Sequence, residues 1–168
     1  MMPPVARRGQ PTTFGPTTFW PNRGLVASRF IQLIDAAFRS ADIMYGLPPI
    51  GIANADRAVK RALARGLKIR SLYPEDRAVP DTLQFLEPFL RAGERVRFGR
   101  YVPTRMAIFD SEVVMVALCT REEPPAFEGI EVRHPEMVAF ATSAFEHAWR
   151  EGWEYIPPAK RTKSRRTI

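Results

Sequence analysis

Apolar and polar positions along the chain predict a mixed sheet covered by helices. Residues 113–118 form the densest apolar run, and their β-branched composition is typical of a strand buried on both faces. Residues 105–109 form a second apolar segment, and the three polar residues between the two segments predict a tight turn. This hairpin is expected at the centre of a single α/β domain with helices on both faces of the sheet.

The remaining periodicities complete the expected domain. Helical spacing of apolar residues predicts helices over 25–41, from 54 or 56 to 65, from 81 or 82 to 93, and over 135–152. Strands are predicted at 43–47, 67–73, 95–98, 105–109, 113–118 and 130–133. The sheet would therefore have about six strands, with 130–133 at its edge, and the domain would span residues 25–156.

Residues 1–24 form a proline-rich arm with the near-repeat PTTFGPTTFWP. Its five prolines lack backbone donors, which argues against a helix or a central strand. Phe14, Phe19 and Trp20 are apolar for a linker. We expect the arm to lie against the domain or a second subunit, with a free tail as the alternative.

The net charge of +7 is concentrated at the two ends of the chain. Residues 157–168 form a basic tail that we expect to be disordered, and it contains no acid. Such a tail attracts phosphate backbones with little sequence preference, although it can also be merely a solvated end. The candidate nucleic-acid contacts are Lys160, Arg161, Lys163, Arg165 and Arg166.

Several classes of protein are disfavoured by the composition. A single cysteine, Cys119, excludes an internal disulfide, and with only two histidines it argues against a zinc site. No apolar run approaches the ~20 residues that span a bilayer, and no signal peptide is evident. The expectation is a cytoplasmic protein without membrane contact, metal or cofactor.

Four segments carry a family resemblance: RGLKIRSLYP (65–74), AGERVR (92–97), PTRMAIFD (103–110) and VRHPEMVAFATSAFEHA (132–148). Together they resemble the phospholipase-D-like C-terminal effector domain of TrmB-type transcription regulators, over about residues 25–152. The resemblance implies half of a phospholipase-D-like fold, a homodimer and a role in transcription regulation. The regulators carry a DNA-binding winged helix, for which the arm before Leu25 has no room.

The resemblance also implies that the chemistry of the enzymes is lost. Active phospholipase-D-like enzymes use a His-x-Lys-x4-Asp motif. The matching stretch here has Pro103 in place of the histidine and Arg105 in place of the lysine, while Asp110 remains. Because proline can neither attack phosphorus nor transfer a proton, we expect no catalytic residue here.

Five residues are candidate ligand contacts: Arg105, Asp110, Arg97, Tyr45 and Tyr73. The planar fork of Arg105 suits phosphate or carboxylate, with Asp110 as a possible ion-pair partner and Arg97 as a neighbour if a bend intervenes. Strand alternation, however, places residues five apart on opposite faces. Tyr45 and Tyr73 end predicted strands, where ligands of open α/β sheets bind. A purely structural role remains the alternative for each.

Three hypotheses for function follow from these observations. The first is a non-catalytic regulatory domain that senses a small polar or anionic ligand or binds a partner protein. The second is a nucleic-acid-associated protein that binds through its basic tail. The third is an enzyme that uses a carboxylate or a tyrosine in the same cleft.

Overall fold

The computed structural model describes residues 10–46, 54–119 and 127–157. The described residues form nine strands and four α-helices. In chain order these are β1 (Thr12–Phe14), β2 (Thr17–Trp20), α1 (Arg23–Ala36), β3 (Ser40–Met44), α2 (Ala55–Ala64), β4 (Lys68–Pro74), α3 (Pro80–Arg91), β5 (Arg95–Gly99), β6 (Arg105–Phe109), β7 (Val113–Cys119), β8 (Phe127–Val132), α4 (Pro135–Glu151) and β9 (Trp153–Glu154).

All nine strands belong to one sheet, in the order β1-β2-β8-β7-β6-β3-β4-β5-β9. Strands β3, β4 and β5 are parallel and every other pair is antiparallel. The β6–β7 hairpin lies in the middle, so its predicted position is confirmed. The expected number of about six strands is wrong, because β1, β2 and β9 extend the sheet. Strand β8 is also internal, since β2 covers the side expected to be an edge.

The N-terminal hairpin explains this difference. Gly15 adopts a left-handed φ of +56° in the turn between β1 and β2, a conformation that glycine adopts without strain. Pro11, Pro16 and Pro21 all fall outside the two strands, so no ladder hydrogen bond is lost to a proline. Because of this placement β2 has neighbours on both sides, which the proline content had argued against.

Strand alternation places apolar core clusters on both faces of the sheet. On the first face Ile43, Ala107 and Met115 pack with Phe30 of α1 and Val59 of α2. On the second face Met44, Leu72, Ile108 and Val114 pack with Phe145 and Trp149 of α4. Helix α3 joins the first face through Phe89. Helices on both faces are therefore confirmed.

Helix α1 is shorter than its apolar pattern suggests. Asn22 caps its start by accepting from the N–H of Leu25 at 3.0 Å, and the helix ends at Ala36 rather than near residue 41. Ala41 and Asp42 belong to β3 instead. Asp42 is buried there, 2.7 Å from the Nε of Arg70 on the adjacent strand. No helix in the described part of the chain is long and apolar enough to cross a membrane.

Candidate ligand-binding cavity

A cavity of about 420 Å³ lies between the first face of the sheet and the helices α1, α2 and α3. Most of its lining is apolar, including Phe30, Val59, Phe89, Met115 and Phe127. The polar side chains that line it include Tyr45, Tyr73, Glu94, Arg77 and Arg105. An apolar cavity with a few convergent polar groups is the usual form of a small-molecule site.

Tyr45 and Tyr73 form a stacked pair in this cavity. Their ring centroids are 4.3 Å apart and the ring planes differ by 5°. Strands β3 and β4 are parallel, and Met44 lies opposite Leu72. The next residues, Tyr45 and Tyr73, are therefore neighbours. Burial is the main cause that raises the pKa of both hydroxyls, and the charge of Glu94 acts in the same direction. The stacked pair is therefore neutral at physiological pH.

Glu94 lies just before β5 and is 5% exposed. Its carboxylate accepts a hydrogen bond from the hydroxyl of Ser71, and among the described residues it forms no ion pair. Burial raises the pKa of Glu94 to about 7, against the opposing effect of the Ser71 hydrogen bond. The sequence reasoning missed this residue, although it shares the alternation of the buried Val96 and Phe98 and could have been found from that signal.

Arg105 is the first residue of β6 and also lines the cavity. Burial lowers the pKa of its guanidinium, which still remains charged because arginine does not deprotonate in proteins. Gly46 makes this position accessible. A Cβ there would lie 2.8 Å from the backbone carbon of Thr104, so only glycine lets the chain enter β6 this close to Tyr45.

The other two predicted ligand residues lie elsewhere. Asp110 is at the opposite end of β6, where its carboxylate accepts from the backbone N–H of Arg39 at 2.7 Å. Arg97 belongs to the second face, where its Nη1 donates to the carbonyl of Trp149 at 2.6 Å. The structure thus brings together Tyr45, Tyr73 and Arg105, whereas Asp110 is separated from them along β6 and Arg97 lies on the other face.

Arg77 is a second cavity residue that the sequence reasoning did not find. It lies in the short 3-10 turn Glu75–Arg77 that follows β4. Its Nε is buried and has no hydrogen-bond partner among the described residues. No sequence pattern distinguishes it from a surface arginine.

The remaining candidates contribute little to this site. Pro103 is exposed in the segment before β6. His134 caps α4, its Nδ1 accepting from the N–H of Glu136 at 3.3 Å. Within the described ranges no group of three or more histidine, cysteine or acidic side chains could hold a metal ion. Lys160, Arg161, Lys163, Arg165 and Arg166 lie outside the described residues.

The fold is that of the phospholipase D-like proteins, as comparison with solved structures shows. NucT from Helicobacter pylori superposes with a TM-score of 0.68 at 16% identity, over 83% of this chain and 98% of NucT. Nuc, a phospholipase D family member from Salmonella typhimurium, gives 0.67 at 14% identity, over 88% of this chain and 100% of Nuc.

TrmBL2, an archaeal chromatin protein whose structure shows a novel mode of DNA binding, gives a TM-score of 0.68 at 14% identity. The alignment covers 83% of this chain and 54% of TrmBL2, so the chain spans about half of that protein. No family model matches the sequence, and no curated protein does. Identities this low show the shared fold alone.

Proposed function

We propose that this chain is a non-catalytic, ligand-sensing domain that contributes to transcription regulation, as its resemblance to TrmB-type regulators implies. The observation that carries the proposal is the cavity itself. It combines an apolar lining, a stacked tyrosine pair and a few charged side chains in a single space of about 420 Å³, which lies within the range of about 300–1,000 Å³ typical of ligand sites. Such a cavity suits a small molecule with an apolar body and a polar group.

The absence of catalysis in this proposal follows from the residues around β6. Pro103 offers no nucleophile or proton donor where the enzymes have histidine. Asp110, which completes the enzyme motif, is occupied with backbone amides at the far end of the strand. Of the three motif positions, only Arg105 lies against the cavity, where it can orient a bound polar group.

A ligand screen with a cavity-filling variant tests the proposal. Ala117 lines the cavity opposite Arg105 on β7, so Ala117→Leu should reduce the available space. Ala139→Leu, on the exposed side of α4, is the matched control. Library compounds that raise the melting temperature of the wild type and of Ala139→Leu should lose their effect in Ala117→Leu. If no compound behaves this way, ligand sensing in this cavity is wrong.

An assay with bis-p-nitrophenyl phosphate tests the non-catalytic part. We expect no hydrolysis above the buffer rate. Turnover that disappears in Arg105→Ala but persists in Arg97→Ala, whose side chain lies on the other face, would show instead that the domain is an enzyme with altered chemistry.

Nucleic-acid association is the second candidate function. The basic tail supports it, as does the similarity in fold to TrmBL2, described as a DNA-binding chromatin protein. If the tail binds the phosphate backbone, removing residues 157–168 should abolish the binding of a random-sequence duplex at low salt, because each lost contact removes counterion release. Unchanged affinity of the truncated chain would refute a role for the tail.

Self-association completes the proposal. The resemblance implies a homodimer, and light scattering at several concentrations measures whether the chain forms one. A monomer at micromolar concentration would contradict this part and leave the cavity argument unaffected.

A further inference from the structure

We propose that the cavity binds a small amphipathic amine, whose ammonium pairs with Glu94 and whose apolar body contacts the aromatic lining. This inference rests on the proposed ligand-binding function and specifies the chemical class of the ligand. It depends on one buried acid that the fold itself does not neutralise.

Four acids are buried in the described part of the chain, and three of them are satisfied by the protein. Asp42 pairs with Arg70 at 2.7 Å, and Glu131 pairs with Arg29 at 2.7 Å. Asp110 accepts hydrogen bonds from three consecutive backbone amides. These contacts supply the positive charge or the donors that a buried carboxylate requires.

Glu94 differs from the other three acids. Its carboxylate has one hydroxyl donor, Ser71, and no described ammonium or guanidinium lies within ion-pair distance. A carboxylate offers about four acceptor positions, so most of its capacity is unused. Burying a carboxylate with so few donors is costly, and a bound cation would supply the charge and the donors that the described part of the chain does not.

The surroundings of Glu94 favour a cationic partner. Tyr45, Tyr73 and Phe89 line the same cavity, and aromatic rings attract an ammonium through their negative faces. An anionic group would be repelled by the carboxylate. Arg105 does not neutralise it, because β6 and β5 are separated by β3 and β4, a distance of about 14 Å at ~4.8 Å per strand. Arg77 lines the same cavity, but no ion pair in the described part of the chain joins it to Glu94.

Protonation provides an independent signature of this contact. Burial raises the pKa of Glu94 to about 7, so a substantial fraction of the carboxyl is protonated near pH 6.5. An ammonium bound beside it favours the ionised form, and the displaced proton enters the buffer. A neutral ligand with the same body releases no proton from this group.

Three probes with the same aromatic body separate the possibilities: 2-phenylethylamine, 2-phenylethanol and phenylacetate. Titration calorimetry at pH 6.5 in two buffers of different ionisation enthalpy measures affinity and proton release together. We expect wild type to bind the amine at least ten-fold more tightly than the alcohol, with proton release. Glu94→Gln should bind the two with affinities within about two-fold, without release. Glu87→Gln, on α3 and outside the cavity lining, should behave as wild type.

Each contrary result has a defined meaning. Equal binding of amine and alcohol to wild type, or tightest binding of phenylacetate, overturns the amine inference and leaves the cavity as a ligand site. An amine preference that survives in Glu94→Gln also overturns it. Binding of none of the three probes overturns the amine inference, while the library screen with Ala117→Leu decides the ligand-sensing function separately.

Discussion

Asp110 and Arg39 form two reciprocal hydrogen bonds, each between a side chain of one residue and the backbone of the other. The Asp110 carboxylate accepts from the backbone N–H of Arg39 at 2.7 Å, and the Arg39 Nη2 donates to the backbone carbonyl of Asp110 at 2.6 Å. The same carboxylate accepts from the amides of Phe38 and Ser40. Asp110 thus connects the β6–β7 turn to the segment between α1 and β3.

Replacing Asp110 should therefore reduce stability. Asp110→Ala leaves three part-buried backbone amides without their acceptor, and we expect a loss of about 2–4 kcal/mol in the free energy of unfolding. Urea denaturation measures the loss. Glu112→Gln, in the same turn, is the control because its ion pair with Arg39 is exposed on both sides and should contribute less than about 1 kcal/mol. Equal losses in the two variants would refute the anchoring role.

Glu94 should make the protein less stable as pH rises. Burial raises its pKa from 4.5 to about 7, so between these values the unfolded chain ionises while the folded protein retains the proton. Stability from this group is complete below about pH 4.5, falls through the interval and levels off above pH 7. The pKa difference corresponds to about 3 kcal/mol.

Urea denaturation of wild type and Glu94→Gln at pH 5 and pH 8 isolates this effect. Tyr45 and Tyr73 stay neutral in this range because burial raises their pKa, and the guanidinium of Arg105 stays charged. From pH 5 to pH 8 we expect the free energy of unfolding of Glu94→Gln to increase relative to that of the wild type. A constant difference would mean that Glu94 is not held in its protonated form.

Two glycines should respond in opposite directions to alanine. At Gly129 on β8 an added Cβ would lie 2.8 Å from Cγ2 of Val26, whose branched side chain on α1 cannot move aside. We expect Gly129→Ala to cost about 2–3 kcal/mol through overpacking. Gly24 is exposed in the first turn of α1, and the atom nearest to an added Cβ is 3.5 Å away. Gly24→Ala should therefore raise the free energy of unfolding by as much as about 1 kcal/mol.

Thermal denaturation of the two glycine variants tests the packing of α1 on the sheet. A melting temperature that is unchanged in Gly129→Ala would show that the helix is held less closely than the structure indicates. The Gly24→Ala variant shows how much of any change comes from glycine removal alone.

Glu131 on β8 should contribute strongly to stability through its ion pair with Arg29 of α1. It is 3% exposed and lies between the guanidinium groups of Arg29 and Arg133. Glu131→Ala leaves Arg29 without its bidentate partner, so we expect a loss of about 3–5 kcal/mol in unfolding free energy by urea denaturation. Glu128→Ala on the same strand should have little effect. A small loss in Glu131→Ala would show that Arg29 finds another partner.

Glu131 should also make the stability of the protein depend on pH in the acidic range. Burial tends to raise its pKa, but the hydrogen bond and charge of Arg29 outweigh this and lower it below the ordinary value. The stability from this group is therefore present at neutral pH and lost as pH falls below about 4.5. The loss on acidification should be smaller in Glu131→Ala than in wild type, measured by thermal denaturation at pH 3 and pH 6.

The sequence by itself determined the elements that repeat a local pattern. The nearly continuous apolar runs in residues 105–109 and 113–118 predicted a hairpin at the centre of the sheet, because a strand covered on both faces must be apolar at nearly every position. Helical spacing likewise identified α4, since one apolar stripe suffices to mark the buried side of a helix. Tyr45 and Tyr73 could be predicted as neighbours from the sequence, because the carboxyl ends of parallel strands lie at one edge of the sheet.

Tertiary structure alone decided where isolated residues acquire partners. The sequence predicts Asp110 as a ligand contact and a possible partner of Arg105, whereas its carboxylate binds backbone amides some 70 residues away in the chain. Strand β2 of the arm pairs with the edge of β8. The positions of the prolines in the sequence do not predict this pairing, because it depends on a strand more than 100 residues away. The isolation of Glu94 depends on the absence of a cation near it in space, and that property is determined only when distant strands and helices pack together.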